Sequence, residues 1–83
     1  MRFEGSLRRV GKWWLVDVPI FEAATQGRTR QEAFEMIADW FAMMVDRDGF
    51  EVEIHPGTNH RFHISSTDVS AMVSLLLRRQ RQA

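Results

Sequence analysis

The chain has 83 residues, no cysteine, and eleven basic side chains that balance eleven acidic ones. The lack of cysteine excludes disulfides, thiolate nucleophiles and cysteine-based zinc sites, and the zero net charge excludes a domain-wide electrostatic footprint for nucleic acid. With 45% hydrophobic residues, the composition predicts one globular domain, small enough for a homo-oligomer to help bury apolar surface. We expect a cytoplasmic protein without membrane insertion, because the sequence shows neither a long apolar stretch nor a signal peptide.

Alternation of apolar and polar residues predicts three antiparallel strands in the first third of the chain. They cover residues 2–8, 12–18 and 23–26. In the second strand Trp14 shares one face with two valines, whereas Trp13 and Leu15 point to the opposite face. This strand therefore carries large apolar side chains on both of its faces.

A long helix is predicted to begin after Thr29, because Thr29 and Glu32 have the spacing of a capping box. Apolar residues then recur at three- and four-residue spacing through Asp46, which gives the helix one wide apolar side. Gly27, just before the cap, is interpreted as the residue that permits a tight turn.

The last part of the chain is predicted to form a hairpin and a second helix. Alternation at residues 50–55 and 61–65 indicates two strands, with Glu53 opposite His63 on the outer face. Ser65 or Ser66 is expected to cap the final helix. The residues expected on its apolar side are Val69, Met72, Val73 and Leu76.

The predicted fold is therefore α+β, with two layers and the order β-β-β-α-β-β-α. One long helix covers a small antiparallel sheet, and a second short helix lies at the C-terminus. Residues 1–65 are expected to form the α+β domain, and residues 66–83 the C-terminal helix.

Trp13 and Leu15 are the first candidate site, since they face away from the layer that the long helix covers. Either the final helix covers them or a second protein does, because exposed aromatic residues are enriched at protein interfaces. Arg28 is included as an adjacent candidate partner contact.

The cluster Arg78, Arg79 and Arg81 is the second candidate site, because three guanidinium groups at one helix end suit phosphate contacts. The alternative is that these cations only interact with the helix dipole. The run Leu75-Leu76-Leu77 precedes them, and at least one of these leucines must point away from the core.

No catalytic residue, metal ligand or cofactor is predicted. Five acidic residues are numerous enough to suggest the metal site of a two-metal nuclease: Asp17, Glu22, Asp39, Asp46 and Asp48. However, they do not form a known motif, and such residues usually mark solvated positions. The histidines at positions 55, 60 and 63 lack the spacing of a zinc site. Nucleophile elbows, Walker loops and dinucleotide fingerprints do not occur.

The order of motifs resembles the HicB antitoxin family. The segment TQGRTRQEA matches the family pattern T-Q-G-x-T-x-x-E-A at the entry to its long helix, and the resemblance extends over about residues 3–54. A departure lies just before this segment, where Phe21-Glu22-Ala23 stands in place of the family's Pro-Gly-Cys-like turn.

The resemblance implies a partial RNase-H-like sheet without catalytic acids, which neutralises an HicA-type mRNA-cleaving toxin by direct binding. It also implies a homo-oligomer and autorepression of the toxin-antitoxin operon through a C-terminal DNA-binding segment. Residues 66–83 are expected to be the opening helix of a truncated segment of that kind. A DNA-binding transcriptional autoregulator is therefore the alternative function, and a metal-dependent nuclease a third class.

Overall fold

The computed structural model describes residues 2–45 and 47–81, with residues 79–81 described by their backbone only. It confirms the predicted α+β fold, a five-stranded antiparallel sheet with two helices. The elements are β1 (Arg2–Val10), β2 (Trp13–Val18), a 3-10 turn (Pro19–Phe21), β3 (Ala23–Gly27), α1 (Arg30–Met44), β4 (Glu53–Pro56), β5 (Arg61–Ser65) and α2 (Val69–Arg81).

The strands are ordered β3-β2-β1-β5-β4 and every neighbouring pair is antiparallel. β1 is central because it pairs with β2 through a tight turn and with β5 over a separation of about sixty residues. Gly11 supports the β1–β2 turn with a left-handed φ of 61°. β3 and β4 are consequently the two edge strands.

Alternate residues of the strands form one buried face of the sheet, against which both helices pack. Phe21 is completely buried, and its ring makes edge-to-face contacts with Phe3 and Phe41, at centroid distances of 4.8 and 5.1 Å. Ala33, Ile37 and Phe41 are the buried side of α1 and Ala71, Met72 and Leu75 that of α2. Both helices share one core, so α2 packs as a part of the fold.

At the junction between β3 and α1, the predicted helix cap is confirmed, but the predicted role of Gly27 is wrong. The Thr29 hydroxyl accepts a hydrogen bond from the Glu32 amide at 3.0 Å, as expected. Gly27 does not have a positive φ; a Cβ atom there would instead lie 2.5 Å from the Ala33 amide nitrogen. This glycine is therefore needed because the strand and the first turn of the helix approach closely.

The β4–β5 hairpin differs in register from the prediction. β4 begins at Glu53 rather than at residue 50 and continues through Pro56, so His55, and not Glu53, lies opposite His63. Asn59 and His60 adopt positive φ values of 55° and 61°, which close the turn between Pro56 and Arg61. The sequence prediction placed Pro56 in the loop and so paired the strands out of register.

The start of α2 also differs from the prediction. Asp68, and not Ser65 or Ser66, is the cap: its carboxylate accepts from the Ala71 amide at 3.0 Å, and Nη1 of Arg47 donates to both of its oxygens at 2.7 Å. The Ser66 hydroxyl instead donates to the Glu51 carbonyl. These contacts tie the helix entry to the segment before β4.

The buried side of α2 is rotated from the predicted one. Ala71, Met72 and Leu75 are buried, whereas Val69 is 47% exposed and Leu77 48% exposed. The sequence predicted that at least one leucine of the run 75–77 points away from the core, and Leu77 is that leucine. The rotation follows from packing against the end of α1, where Val45 is also buried and lies close to Ala71 and Leu75.

Gly27→Ala is expected to lower the free energy of unfolding by about 1–3 kcal/mol, because the new methyl group would overlap the backbone of α1. The neighbouring exposed substitution Gln26→Ala is the control and should change stability by less than about 0.5 kcal/mol. Equilibrium denaturation of the three proteins measures both. Equal stabilities for Gly27→Ala and the control would contradict the close-approach role.

The amide of Ala71 and the guanidinium of Arg47 lower the pKa of Asp68 below its ordinary value. A carboxyl with a depressed pKa stabilises the fold above its unfolded-state pKa, and this contribution is lost as the pH falls through its folded-state pKa. Asp68→Ala should therefore be less stable than the wild type at pH 7, and the difference should shrink in acid. Unfolding measured across an acidic pH series tests this; a difference that is constant with pH would contradict it.

Candidate functional site

One face of the sheet has no helix over it in the described part of the chain, and we call it the outer face. It consists of the residues that alternate with the buried ones along each strand. They are Arg2, Glu4, Ser6, Arg8, Val10, Trp13, Leu15, Asp17, Ala24, Gln26, Glu53, His55, Arg61, His63 and Ser65.

Val10, Trp13 and Leu15 form the apolar patch of this outer face. Val10 lies opposite Trp13 in the β1–β2 register, and their side chains are 49% and 38% exposed. Leu15 follows two residues after Trp13 on the same face and is partly buried. The sequence left open whether the final helix or a second protein covers Trp13 and Leu15. The structure excludes the final helix, because α2 packs on the other side of the sheet, beside the 3-10 turn and the end of α1.

Arg28 completes the first candidate site. Its guanidinium carbon lies 5.5 Å from the centroid of the Trp13 ring, within the range of a cation–π contact. The short link from Gly27 to the Thr29 cap holds Arg28 at the end of β3, next to the first residue of β2. The fold therefore places Arg28 over Trp13, and Leu15 lies two residues from Trp13 on the same face.

A hollow of about 490 Å³ lies beside the apolar patch, where Arg8, Leu15, Asp17 and Ala24 are among its lining residues. Its lining combines apolar side chains with one cation, Arg8, and one carboxylate, Asp17. Such a hollow accepts an apolar side chain of a partner while its rim offers polar contacts. Sequence reasoning missed it, because its lining residues come from three strands, β1, β2 and β3.

The other end of the outer face is polar and contains two stacked histidines. The rings of His55 and His63 have centroids 4.6 Å apart and are inclined by 15°, and the Arg2 guanidinium donates to the His63 ring. Desolvation, Arg2 and His55 lower the pKa of His63 below its ordinary value, which outweighs the opposite effect of Glu4. A guanidinium group can only donate, so a ring nitrogen of His63 accepts the hydrogen bond from Arg2.

The described residues contain no group of three histidine, aspartate or glutamate side chains that could hold a metal ion. Of the acidic residues weighed for a nuclease, Asp46 lies outside the described part of the chain. His60 lies in the turn between β4 and β5.

The C-terminal arginines are only partly described. Arg78 donates from Nη2 to the Met44 carbonyl at 3.0 Å, which satisfies an acceptor at the end of α1. Arg79 and Arg81 belong to the last turn of α2, but their side chains lie outside the described part of the structure. The structure thus gives Arg78 a contact within the fold that the sequence did not predict.

A groove between α1 and β4 is a further feature that sequence reasoning missed. It has a volume of about 520 Å³ and lies on the helix-covered side of the sheet, with Phe34 and Ala38 on one wall and Val52, Ile54 and Pro56 on the other. The alternation at residues 50–55 predicted an apolar face that includes Val52 and Ile54. It could not indicate that α1 leaves this wall partly open.

Comparison with protein-family models, with curated protein sequences and with solved structures gives no significant match for this chain. Among the described residues, no helix combines the length and the apolar character that crossing a membrane requires.

Proposed function

We propose that this chain is an antitoxin-like, non-catalytic domain that neutralises an HicA-type mRNA-cleaving toxin by direct binding, within a cytoplasmic toxin-antitoxin system. The observation that carries the proposal is the 38% exposed Trp13 on a sheet face that neither helix covers. A tryptophan in this setting keeps a large apolar area in contact with water, and burial of that area by a partner is favourable.

The apolar patch has the composition of an interface centre. Tryptophan and arginine are among the residue types most enriched where binding energy is concentrated, and here Trp13 and Arg28 already contact each other. Their contact orders both side chains before a partner arrives, which lowers the entropy lost on binding. The hollow beside Leu15 offers a place for a partner side chain.

The segment that carries the family resemblance also builds this surface. Residues 25–33 form the end of β3, the helix cap and the first turn of α1, and they place Arg28 over Trp13. Much of the pattern has a structural role, because Gly27 permits the close approach of β3 and α1, and Thr29 caps the helix. The resemblance and the exposed patch are therefore two supports for the same proposal, and the HicA-type identity of the partner depends on the resemblance.

The double variant Trp13→Ala, Leu15→Ala is expected to lose binding to the cognate toxin. Hot-spot residues contribute about 2 kcal/mol or more each, so the dissociation constant should rise by roughly a hundredfold or more. The measurement is calorimetric titration with a catalytically inactive toxin, together with rescue of growth when the active toxin is expressed.

Met43→Ala is the matched control, because Met43 is 82% exposed and lies on α1, away from the outer face. It should leave affinity and growth rescue unchanged. Thermal unfolding of each variant confirms that the fold is retained. Wild-type affinity in the double variant would remove the outer face as the toxin site, and lack of any binding by the wild type would reject the antitoxin proposal itself.

A second proposal is that the chain acts as a DNA-binding autoregulator of the same operon. It is favoured by Arg79 and Arg81, which follow Arg78 in the last turn of α2. Because Arg78 is bonded to Met44, phosphate contacts are assigned to Arg79 and Arg81 first.

Arg79→Ala, Arg81→Ala should weaken binding to the DNA upstream of the chain's own coding sequence. The salt dependence should also fall, by about one unit of slope for each phosphate that is no longer neutralised. Gel shifts at several salt concentrations measure both effects. Gln80→Ala, between the two arginines, is the control. An unchanged affinity and slope would show that these arginines do not bind phosphates.

A further inference from the structure

β4 is an edge strand whose outward backbone groups can be identified from the hydrogen bonds of its hairpin. The Gly57 amide donates to the Arg61 carbonyl at 2.9 Å. Backbone groups in an antiparallel ladder point to the neighbouring strand at every second residue. Residues 53 and 55 therefore bond to β5, and the N–H and C=O of Ile54 point away from the sheet.

The side chains of β4 alternate in a way that suits pairing with an identical strand. Val52, Ile54 and Pro56 form the apolar wall of the groove beside α1. Glu53 and His55 lie on the outer face, with side chains 72% and 41% exposed. Nε2 of His55 is hydrogen-bonded to the Ser65 hydroxyl at 2.9 Å and lies 3.5 Å from the Glu53 carboxylate. One edge strand thus presents an acid and an imidazole at alternate positions, on the same face.

We propose that two copies of this chain pair through their β4 strands, antiparallel and about a two-fold axis at Ile54. The Ile54 amide of each copy then donates to the Ile54 carbonyl of the other. In this register Glu53 lies opposite His55 of the second copy, and the same pair recurs by symmetry. The Ser65 hydroxyl can donate to Nε2 of His55, which leaves Nδ1–H of the ring to donate to the Glu53 carboxylate of the second copy, so both contacts are favourable.

The same register is also suited to the groove side. Val52 lies opposite Pro56 of the second copy, so only apolar side chains meet there. Pro56 has no N–H group, which limits the number of backbone hydrogen bonds between the two copies. The side chains fix the register, because a shift by one residue would remove the Ile54 pair and bring Glu53 onto the apolar side.

The other edge strand, β3, does not have this complementarity. Its outward residues Ala24 and Gln26 carry no charge, so an identical pairing there gains no ionic contact. Exposed strand edges in native proteins are usually blocked by charges or covered. The charges on β4 oppose pairing with most strands but match those of an identical one in antiparallel register, which selects a second copy as the occupant.

Two single substitutions and their mixture test the register. Glu53→Lys places an ammonium group opposite His55 of the second copy, and His55→Glu places two carboxylates opposite each other. Each variant alone should dimerise more weakly than the wild type, by roughly tenfold in dissociation constant. An equimolar mixture should restore dimers, because the introduced lysine of one chain then faces the introduced glutamate of the other. Sedimentation velocity and native mass spectrometry of the isolated chain, over about a hundredfold range of concentration, measure this.

Ile54→Pro is a second, independent test, because it removes the outward N–H group without removing a bond to β5. It should abolish the dimer, whereas Val69→Ala, an exposed position on α2, should not. Circular dichroism confirms the fold of each variant.

A wild-type chain that is monomeric throughout overturns the proposal. So does an oligomer that none of the β4 substitutions weakens, or a mixture that gives no heterodimer. The toxin-binding surface is on a different part of the sheet, so Trp13→Ala, Leu15→Ala should leave the dimer intact. Failure of one proposal therefore leaves the other testable.

Discussion

Burial of only one face of the sheet is the constraint on which this structure depends. Five strands offer two faces, and in the described part of the chain both helices pack on the same one. The core therefore draws its aromatic contacts from a single side, with Phe21 between Phe3 and Phe41. In the described part of the chain, the opposite face, which includes Trp13, has no helix over it.

The elements that the sequence predicted correctly are those determined by local patterns. Alternation located the strands, and the Thr29–Glu32 spacing located the start of α1. The features that it did not predict depend on contacts between distant segments. Arg47 selects Asp68 as the cap of α2, and the positive φ angles of Asn59 and His60 set the hairpin register. Similarly, alternation placed Trp13 and Leu15 on one face, but only the folded chain shows that α2 leaves them uncovered and that a groove remains beside α1.

The two interaction surfaces that we propose gain their free energy of binding from different interactions. The apolar patch gains mainly from removal of tryptophan and leucine surface from water, so its affinity should depend little on salt. The β4 edge gains from backbone hydrogen bonds and from paired side chains, which supply register and selectivity more than affinity. Because a two-fold axis perpendicular to the sheet keeps both outer faces on the same side, pairing would present two apolar patches in one direction.

The pairing of β1 with β5 has a consequence for how the chain acquires its structure during synthesis. Residues 2–10 emerge from the ribosome before residues 61–65, so one side of β1 has no neighbour until the later segment has been made. The contacts that complete the sheet are therefore non-local, and their formation requires closure of a loop that contains most of the chain. Until then the nascent chain exposes the unpaired edge of β1 next to Phe3 and Leu7, and transiently exposed edges and apolar side chains of this kind are prone to aggregation.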